Sequence, residues 1–371
     1  MTATIQNKYV KFQVAQTGGS IVSGHLFTGN EWIPFMPDTS HMVEKLIRKS
    51  SFPAPLTSRD ELHESMFIMA PYSNRIKNGD LKFAGQTKIL NRNTEHSLHG
   101  DLWHRNTRIL SHCADRLELE YVMEDCPINW PHPFTAKITY SLSEIDDQMN
   151  ETNKDEKIND KKSNDKKIND KKTNNGNAQC ERNQNLKYVC SLTANLILTN
   201  TSCEPTFLGG GFHPYFLKNL QIGRQGRLKA NVHKRLETVE TGISKTGKMI
   251  RDHLCASLNH GIELNEGAPY IDDCFSHKNE KQTKKDLRST QLNLIDSEDS
   301  FTPSAKVDYG DVKLEIQHGK SLDHLVIYNP EKPYFAVEPV SHKNGDIDFN
   351  YVSPLESVVL QFKIVIVFHS K

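Results

Sequence analysis

Alternation of apolar and polar residues with a period of two constrains the fold of this chain more than any other feature. Phe134, Ala136, Ile138, Tyr140 and Leu142 alternate with polar residues, and the same pattern recurs over residues 117–123, 188–194 and 312–316. This period is typical of strands that bury one face. Many short strands separated by turn residues, with little helical periodicity, predict an all-β protein, a sandwich or a barrel.

Two polar stretches interrupt this pattern. Over residues 143–185 the tetrapeptide NDKK recurs at Asn159, Asn164 and Asn169, and apolar side chains are almost absent. Such a segment cannot bury enough surface to offset the entropy of ordering, so we predict a low-complexity, disordered insertion. A basic docking tail is a weaker interpretation because the charges nearly cancel. Residues 276–304 are predicted to form a second polar loop insertion, within a single domain spanning residues 1–371.

Composition excludes several classes of function. Lys plus Arg and Asp plus Glu number 46 each, so no global field attracts a nucleic acid or an anionic membrane. The chain has no apolar N-terminal signal segment, and its most apolar stretch, 358–368, is far shorter than the roughly 20 residues of a spanning helix. The seven cysteines are odd in number and lack CxxC spacing, which argues against a disulfide framework and a zinc ribbon. We therefore expect a cytoplasmic protein with reduced thiols and with no nucleic-acid or membrane partner.

Two of four polar segments lie in the first third of the chain. The segment APYSNRIKNGDLKFAGQTKIL carries Asn74 and Arg75 ahead of a hairpin that we expect to turn at Asn78-Gly79, since this pair suits a positive φ. Arg75 offers five fixed donors to hydroxyls or a carboxylate. The segment HSLHGDLWH places His99 before a glycine. Taken singly, the arginine could equally form a surface ion pair and the histidine could be an ordinary loop residue.

The other two segments place a histidine and a carboxylate beside prolines. In LGGGFHPYF, His213 follows three glycines and precedes Pro214, which predicts a sharply bent backbone with the imidazole held among aromatic residues. In YFAVEPVSH, Glu338 precedes Pro339, although a Glu-Pro pair also commonly begins a turn. No third ligand stands at a metal-binding interval, and no glycine loop that cradles phosphate opens a helix. We therefore expect no metal and no cofactor.

Together these motifs resemble one known family. NRIKNGDLKFAGQTKILNRN, SLHG, TN followed by GGGFHPYF, DDCF and EPVSH occur in the order of the aldose 1-epimerase (galactose mutarotase-like) superfamily, over about residues 66–353. The resemblance implies a large antiparallel β-sandwich, the supersandwich of galactose mutarotase-like proteins. It also implies an isomerase that interconverts the α and β anomers of a free aldose, a small sugar that would be its partner. The sequence specifies neither the aldose nor the oligomeric state.

The resemblance also implies the catalytic pair. His213 corresponds to the family's general acid and would protonate the ring oxygen, while Glu338 corresponds to its general base and would take the proton of the anomeric hydroxyl. The chemistry requires such a pair, because opening a cyclic hemiacetal removes one proton from the C1 hydroxyl while another reaches the ring oxygen. One acid and one base suffice for this reaction.

The substrate-binding residues follow from the same motifs. Arg75 of NRI and His99 of LHG would bind sugar hydroxyls, with Asn74 beside them. Asp272, which lies three positions before a phenylalanine, matches the family's DxxF pattern and would be another hydroxyl ligand. Tyr215 of HPYF completes the expected substrate-binding set. These groups would orient the ring, which is a large part of catalysis in a reaction of this kind.

One departure and two alternative functions accompany this interpretation. Galactose mutarotases carry a sugar-binding Gln two positions before a Tyr, whereas this chain has Val326 before Tyr328, so the preferred aldose could differ. A non-catalytic sugar-binding or regulatory protein is an alternative, although a pure binder would not need both the acid and the base. An epimerase of a hexose phosphate is another, for which Arg105 and Arg108 would be the phosphate ligands.

Overall fold

The computed structural model describes residues 1–42, 65–83, 86–92, 95–123, 129–146, 187–222, 224–239, 242–244, 246–277, 301–345 and 351–369. Its strands are, in chain order, β1 (Thr2–Gln6), β2 (Val10–Ala15), β3 (Ile21–Phe27), β4 (Trp32–Pro34), β5 (Met66–Met69), β6 (Arg75–Ile76), β7 (Asp80–Phe83), β8 (Gln86–Ile89), β9 (Ser97–Leu98), β10 (Arg108–His112), β11 (Arg116–Val122), β12 (Phe134–Asp146), β13 (Lys187–Asn200), β14 (Thr206–Phe207), β15 (Gly211–Leu217), β16 (Arg227–Ala230), β17 (Lys234–Leu236), β18 (Met249–Ile250), β19 (Ile262–Glu263), β20 (Ile271–Ser276), β21 (Thr302–Asp308), β22 (Val312–His318), β23 (His324–Asn329), β24 (Tyr334–Val340), β25 (Tyr351–Val352) and β26 (Ser357–His369). Within these ranges, one α-helix, α1, spans His253–His260, and single 3₁₀ turns lie at Ser40–Met42, Lys77–Gly79 and Leu102–His104.

The strands form two large antiparallel sheets. An 11-stranded sheet has the order β1-β2-β3-β5-β15-β24-β23-β20-β17-β18, with β4 attached to β3. A 9-stranded sheet has the order β10-β11-β12-β13-β26-β22-β21-β16-β19. This architecture confirms the predicted all-β sandwich.

The core lies between the two sheets and contains the apolar members of the alternating runs. Phe212 of the first sheet stacks on Phe362 of the second, with ring centroids 5.3 Å apart. Ile138 is fully buried, as are its alternate neighbours Ala136 and Tyr140. Burial of each large apolar side chain of this kind stabilises the fold by roughly 1.5–3 kcal/mol. The period-two pattern thus identified the buried face of these strands correctly.

The predicted insertions adjoin paired strands. β12 continues to Asp146, which lies opposite Tyr188 of β13, so the first four residues of the stretch 143–185 are strand residues. In the stretch 276–304, Ser276 ends β20 and residues 302–304 begin β21. Residues 147–186 and 278–300, the greater part of both predicted insertions, lie outside the described residues.

Two local predictions were wrong. The hairpin of β7 and β8 pairs Asp80 with Ile89 and Phe83 with Gln86, so Asn78 and Gly79 precede the hairpin and do not form its turn. Asn78 and Gly79 do have positive φ, at 53° and 74°, but they form a 3₁₀ turn that leads into the hairpin.

The backbone at HPYF is an extended strand, β15, and is not sharply bent. The glycines before it allow close approach of neighbouring strands. A Cβ at Gly210 would collide with the carbonyl oxygen of Met69, and one at Gly211 would lie 2.5 Å from that of Pro339. The glycines therefore let β15 sit between β5 and β24.

The outer face of the 11-stranded sheet carries a row of side chains from six neighbouring strands. His213 pairs with Phe67, Val326 with Glu338 and Cys274 with Val326. The flanking pairs Gly211–Val340 and Tyr215–Ala336 bring Glu338 opposite His213, and the register of β17 adds Leu236. Sequence neighbours in these strands belong to the inter-sheet core, so the row faces away from it.

Cys113, Cys190, Cys203, Cys255 and Cys274 are all free thiols. Within the described ranges, no helix has the length and apolar character that crossing a membrane requires.

Candidate active site

His213 and Glu338 are in direct contact at the centre of the row. Nε2 of His213 lies 3.1 Å from Oε1 of Glu338. His213 is 6% exposed and Glu338 2% exposed. The two side chains are thus in direct contact, with no gap between them that could hold a sugar ring. A sugar that binds between them must therefore separate this contact.

Burial sets the protonation of this pair. It lowers the pKa of His213 to about 3 and raises the pKa of Glu338 well above its usual value, because each charged form loses its hydration. The nearby Asp272 carboxylate raises the pKa of Glu338 further, and Arg75 lowers it. Burial therefore favours the neutral imidazole and the neutral carboxyl group over their charged forms.

Each member of the pair keeps a second polar atom. Among the described residues, Nδ1 of His213 and Oε2 of Glu338 have no hydrogen-bond partner, and both atoms are buried. A buried polar atom without a partner costs about 1–3 kcal/mol, so such groups in native structures require a reason. Two such atoms on side chains that contact each other are what a site for a hydroxylated ligand would present.

Aromatic rings enclose the imidazole. Phe67 stacks on His213 with centroids 4.4 Å apart, and the ring of Tyr215 lies 4.6 Å from it. The ring of His99 meets His213 edge-on at 5.5 Å. Trp103, which packs 5.3 Å from Phe67, extends this apolar lining.

Arg75 and Asp272 lie on the more exposed side of the site. Nη2 of Arg75 is 3.5 Å from Oδ2 of Asp272, and their side chains are 18% and 31% exposed. The backbone of Arg75 is fixed by its amide, which donates to Oδ1 of Asn344, and by its carbonyl, which accepts from Gly345. Exposure increases from the central pair towards these two groups, so a ligand reaches the site from this side.

His99 and Asn74 are joined by two hydrogen bonds. The amide of His99 donates to the Asn74 carbonyl at 3.0 Å, and the amide of Asn74 donates to Nδ1 of His99 at 3.2 Å. Both residues adopt positive φ, near 60°. Burial, together with His213 and Arg75, lowers the pKa of His99 well below its usual value. Since Nδ1 accepts a hydrogen bond, the neutral ring carries its proton on Nε2 and can donate it to a hydroxyl.

Asn74 lies at the site but directs its side chain into the protein. Its Nδ2 donates to the carbonyl of His342 at 2.7 Å, and the residue is 2% exposed. The structure thus brings together His213, Glu338, Arg75, His99, Asp272 and Tyr215, with Asn74 bracing the loop that presents His99.

Sequence reasoning missed the residues that support this loop. His342 donates from Nε2 to the carbonyl of Ser73 at 2.7 Å and lies 2.9 Å from the hydroxyl of Ser341. Asn344 accepts from Arg75. Ser341, His342 and Asn344 all follow Glu338 in the segment EPVSHKN. This cluster of polar residues after the motif was the sequence signal that could have identified them. Phe67 had no such signal, because it looks like any apolar strand residue.

Three ligand atoms, one each from His99, His213 and Glu338, lie within 4.8 Å of one another, a spacing that could hold a metal ion. Nδ1 of His99 already accepts from the Asn74 amide, however, so the proton on Nε2 makes that nitrogen a donor. A metal would have to displace that proton or that hydrogen bond. The arrangement suits hydroxyl groups better, since it combines one donor, one acid and one base.

The chain has a galactose mutarotase-like β-sandwich fold. Residues 1–159 match the sequence model of the aldose 1-epimerase family, which confirms the resemblance seen in the motifs. This match includes the NRI and LHG motifs and ends before HPYF and EPVSH.

Solved structures share this fold at low sequence identity. A galactose mutarotase-like protein of Clostridium acetobutylicum has a TM-score of 0.63 at 16% identity, covering 98% of this chain and 94% of its own. The GalM/aldose epimerase homologue of Caenorhabditis elegans has a TM-score of 0.63 at 14% identity, covering 100% and 99%. Galactose 1-epimerase of Lactobacillus acidophilus has a TM-score of 0.60 at 14% identity, covering 99% and 94%. No curated protein sequence matches the chain significantly.

Proposed function

We propose that this protein is an aldose 1-epimerase, an isomerase that interconverts the anomers of a free aldose by acid/base catalysis. The observation that carries the proposal is the 3.1 Å contact between His213 and Glu338, flanked by Arg75, Asp272 and His99. An imidazole and a carboxyl group in contact can exchange one proton, and hemiacetal opening needs one acid and one base acting together.

The reaction begins when the sugar binds between His213 and Glu338, so that each side chain contacts the sugar and no longer the other side chain. With the shared proton on His213, the Glu338 carboxylate takes the proton of the anomeric hydroxyl while Nε2 of His213 gives its proton to the ring oxygen. The C1–O5 bond breaks and the C1–O1 bond becomes a carbonyl. Rotation about C1–C2 presents the other face of the aldehyde. On reclosure the O5 hydroxyl returns its proton to His213 and Glu338 returns its proton to O1, so both groups recover their initial states.

The remaining polar groups orient the sugar. Arg75 donates to hydroxyls from the exposed side, Asp272 accepts from them, and Nε2–H of His99 donates from the edge of the imidazole. Their fixed positions remove orientational freedom before the chemistry begins. Val326, Cys274 and Leu236, which we call the apolar wall, continue the row beyond Glu338 and exclude water. A dry site strengthens the proton transfers.

The two alternative functions gain no support from the geometry. Arg105 donates to Asp101 at 2.5 Å, and Arg108, which is largely exposed on β10 of the other sheet, donates to Glu120 at 2.6 Å. Both arginines proposed for a sugar phosphate thus pair with carboxylates. A pure sugar binder would gain nothing from a buried acid and base in contact, which are costly to desolvate.

Saturation-transfer NMR or polarimetry over a panel of free and phosphorylated aldoses tests the proposal. We expect anomer exchange for at least one free aldose, and a fall of at least roughly 10²-fold in His213→Asn and Glu338→Gln. The double variant should fall no further than either single one, because the two groups act as a unit. His318→Asn, which changes a buried histidine bonded to Ser304, is the matched control. Full activity in either variant of the pair would refute the mechanism.

A further inference from the structure

A loop between two strands rests on the arginine of the candidate site. The chain between β17 and β18, which we call the β17–β18 loop, is described over residues 237–239, 242–244 and 246–248. A Cβ at Gly242 would lie 3.1 Å from both Cζ and Nη1 of Arg75 and 3.4 Å from its Nε. Gly242 is therefore in direct contact with the guanidinium group.

The distances show which side of the guanidinium the glycine covers. The group is planar, and its N–H bonds lie in the plane. A neighbour at the edge between Nε and Nη1 would be nearer to these nitrogens than to the central carbon, whereas here Cζ is as close as Nη1. Gly242 thus covers one face of the guanidinium. The N–H edge stays directed elsewhere, with Nη2 of Arg75 3.5 Å from Oδ2 of Asp272.

Glycine suits this position for two reasons. The φ of Gly242 is +72°, which residues with a side chain rarely adopt. A Cβ at 3.1 Å would also push the guanidinium away by a few tenths of an ångström. The guanidinium ends a long, flexible side chain, so it can move at little cost in stability. A side chain at this position would therefore displace Arg75 more than it would destabilise the fold.

The loop is held by the same segment that fixes the backbone of Arg75. Ile243, which is 3% exposed, lies in van der Waals contact with Gly345, whose amide donates to the carbonyl of Arg75 at 3.0 Å. Nζ of Lys343 donates to the carbonyl of Gly247 at 3.2 Å. One short segment after β24 thus holds both the backbone of Arg75 and the loop that covers its side chain.

We propose that Gly242 is a positioning residue for sugar binding: by covering one face of the Arg75 guanidinium, it holds the N–H edge towards Asp272 and the sugar. The inference rests on the proposed epimerase function, in which Arg75 donates to sugar hydroxyls. Gly242 acts through Arg75 and is not itself a catalytic residue. Because Arg75 binds the sugar in the ground state and in the transition state alike, a displaced guanidinium raises KM and leaves kcat nearly unchanged.

Anomer-exchange kinetics of Gly242→Ala and Gly247→Ala test this inference. Gly247 is the matched control, because it lies in the same loop at a φ of +65° and its Cβ position is 3.7 Å from Nζ of Lys343. We expect Gly242→Ala to raise KM roughly 10-fold, the size of one hydrogen bond to a charged group, and to change kcat less than about 2-fold. Gly247→Ala should leave both constants near their wild-type values. An unchanged KM in Gly242→Ala, or the same rise in Gly247→Ala, would overturn the proposal.

A double-mutant cycle with Arg75→Lys shows whether the effect passes through Arg75. Lysine keeps the positive charge but has no planar group beneath Gly242. Gly242→Ala should therefore change KM less than about 2-fold in the Arg75→Lys background, and a rise of roughly 10-fold there would contradict the inference. If Gly242→Ala does not fold, Arg75→Lys should restore folding by removing the collision. A double variant that also fails to fold would show that the glycine serves the loop and not the arginine.

NMR of the Nε–H group of Arg75 separates this proposal from the epimerase function, because it needs no sugar. The signal, identified by its loss in Arg75→Lys, should shift in Gly242→Ala and keep its position in Gly247→Ala. If no aldose is exchanged, the epimerase function fails, yet such a shift would still support the positioning of Arg75 by Gly242. An Arg75 signal that is the same in Gly242→Ala and in the wild type would overturn the positioning role and leave the epimerase function intact.

Discussion

Phe67 and His213 occupy directly opposed positions on neighbouring strands, and their rings stack at an angle of 26°. The stack fixes the plane of the imidazole, while its contact with Glu338 fixes the direction of Nε2. The orientation of the proposed acid therefore depends on two sheet registers and not on a loop. Strand-borne groups of this kind are held more precisely than groups on loops.

Replacement of the stacking ring should misorient the acid without removing it. We expect Phe67→Leu to lower kcat roughly 10-fold and to change KM much less, since a misplaced catalytic group loses near-attack geometry. Anomer-exchange kinetics over a range of sugar concentrations give the two constants separately.

A second buried phenylalanine provides the comparison. Phe12, which packs edge-on against Phe35 in the inter-sheet core, allows the matched change Phe12→Leu. Both substitutions should lower the free energy of unfolding, but only Phe67→Leu should lower kcat. An equal loss of kcat in the two variants would show that the effect comes from stability alone.

The partly buried His277 should make the fold sensitive to acid. Its Nδ1 donates to the carbonyl of Asn231 at 2.7 Å, and burial lowers its pKa to about 4, with further lowering by His324 and His233 and an opposing effect of Asp323. The unfolded chain has an ordinary histidine pKa near 6.5. Between these two values the unfolded state binds a proton that the folded state does not, so stability falls as the pH falls from about 6.5 to about 4, by ~1.4 kcal/mol per pH unit.

Urea unfolding at pH 7, 6 and 5 measures this slope. His277→Gln should remove about that much of the dependence on pH, whereas His41→Gln, which changes an exposed histidine, should leave it unaltered. His213 contributes in the same direction, but Glu338 contributes in the opposite one because its pKa is raised in the folded state. Identical slopes in the wild type and His277→Gln would show that the pKa of His277 is the same in the folded and unfolded states.

Gly100 should tolerate no side chain. Its φ is +67°, and a Cβ there would collide with the carbonyl of Ala70. Gly29 also has a positive φ, +100°, but nothing lies within 4 Å of its Cβ position. In both alanine variants the positive φ lowers the free energy of unfolding by about 1 kcal/mol. Only in Gly100→Ala does the new Cβ also collide with the carbonyl of Ala70.

We therefore expect Gly100→Ala to lower the free energy of unfolding by at least ~2 kcal/mol more than Gly29→Ala does, as measured with urea. It should also reduce anomer exchange, since Gly100 follows His99 directly. If the two variants are equally stable, the loop at Gly100 moves to make room and the turn does not fix His99.

The sequence predicted the buried faces of the sandwich well because period-two patterning reports burial directly. The five apolar residues of the run from Phe134 to Leu142 are all buried, as expected, although Thr139 between them is buried as well. Patterning does not report which strands are neighbours, however. The contact of His213 with Glu338 depends on β15 lying beside β24, and no local signal encodes that pairing.

The local errors have a related cause. Asn78-Gly79 has the positive φ values that its residue types favour, but β7 pairs with β8 further along, so the hairpin turns elsewhere. The glycines before HPYF serve close strand approach, which is a tertiary requirement and not a turn signal. Residue type thus predicted the backbone conformation of Asn78 and Gly79 correctly. Whether these residues form the turn of a hairpin depends instead on which strands pair in the assembled sheet.

Val326 should determine which sugars are preferred. It lies between Glu338 and Cys274 in the row and is only 5% exposed. The apolar wall to which it belongs offers a sugar hydroxyl no strong hydrogen-bond partner, and a buried hydroxyl without one costs about 1–3 kcal/mol. A sugar with a C–H group at this position should therefore be favoured over its hydroxylated counterpart by roughly 10-fold or more in kcat/KM.

A panel of aldoses and their deoxy derivatives measures this preference by NMR exchange. Val326→Gln supplies a donor and an acceptor at the wall and should raise kcat/KM for the hydroxylated sugar while lowering it for the deoxy one. Val326→Leu adds volume without polarity and should weaken both, because the space beside Glu338 becomes smaller. If Val326→Gln and Val326→Leu shift the two sugars alike, the wall acts only through its size, and the hydroxyl that distinguishes substrates is bound elsewhere, at Arg75 or Asp272.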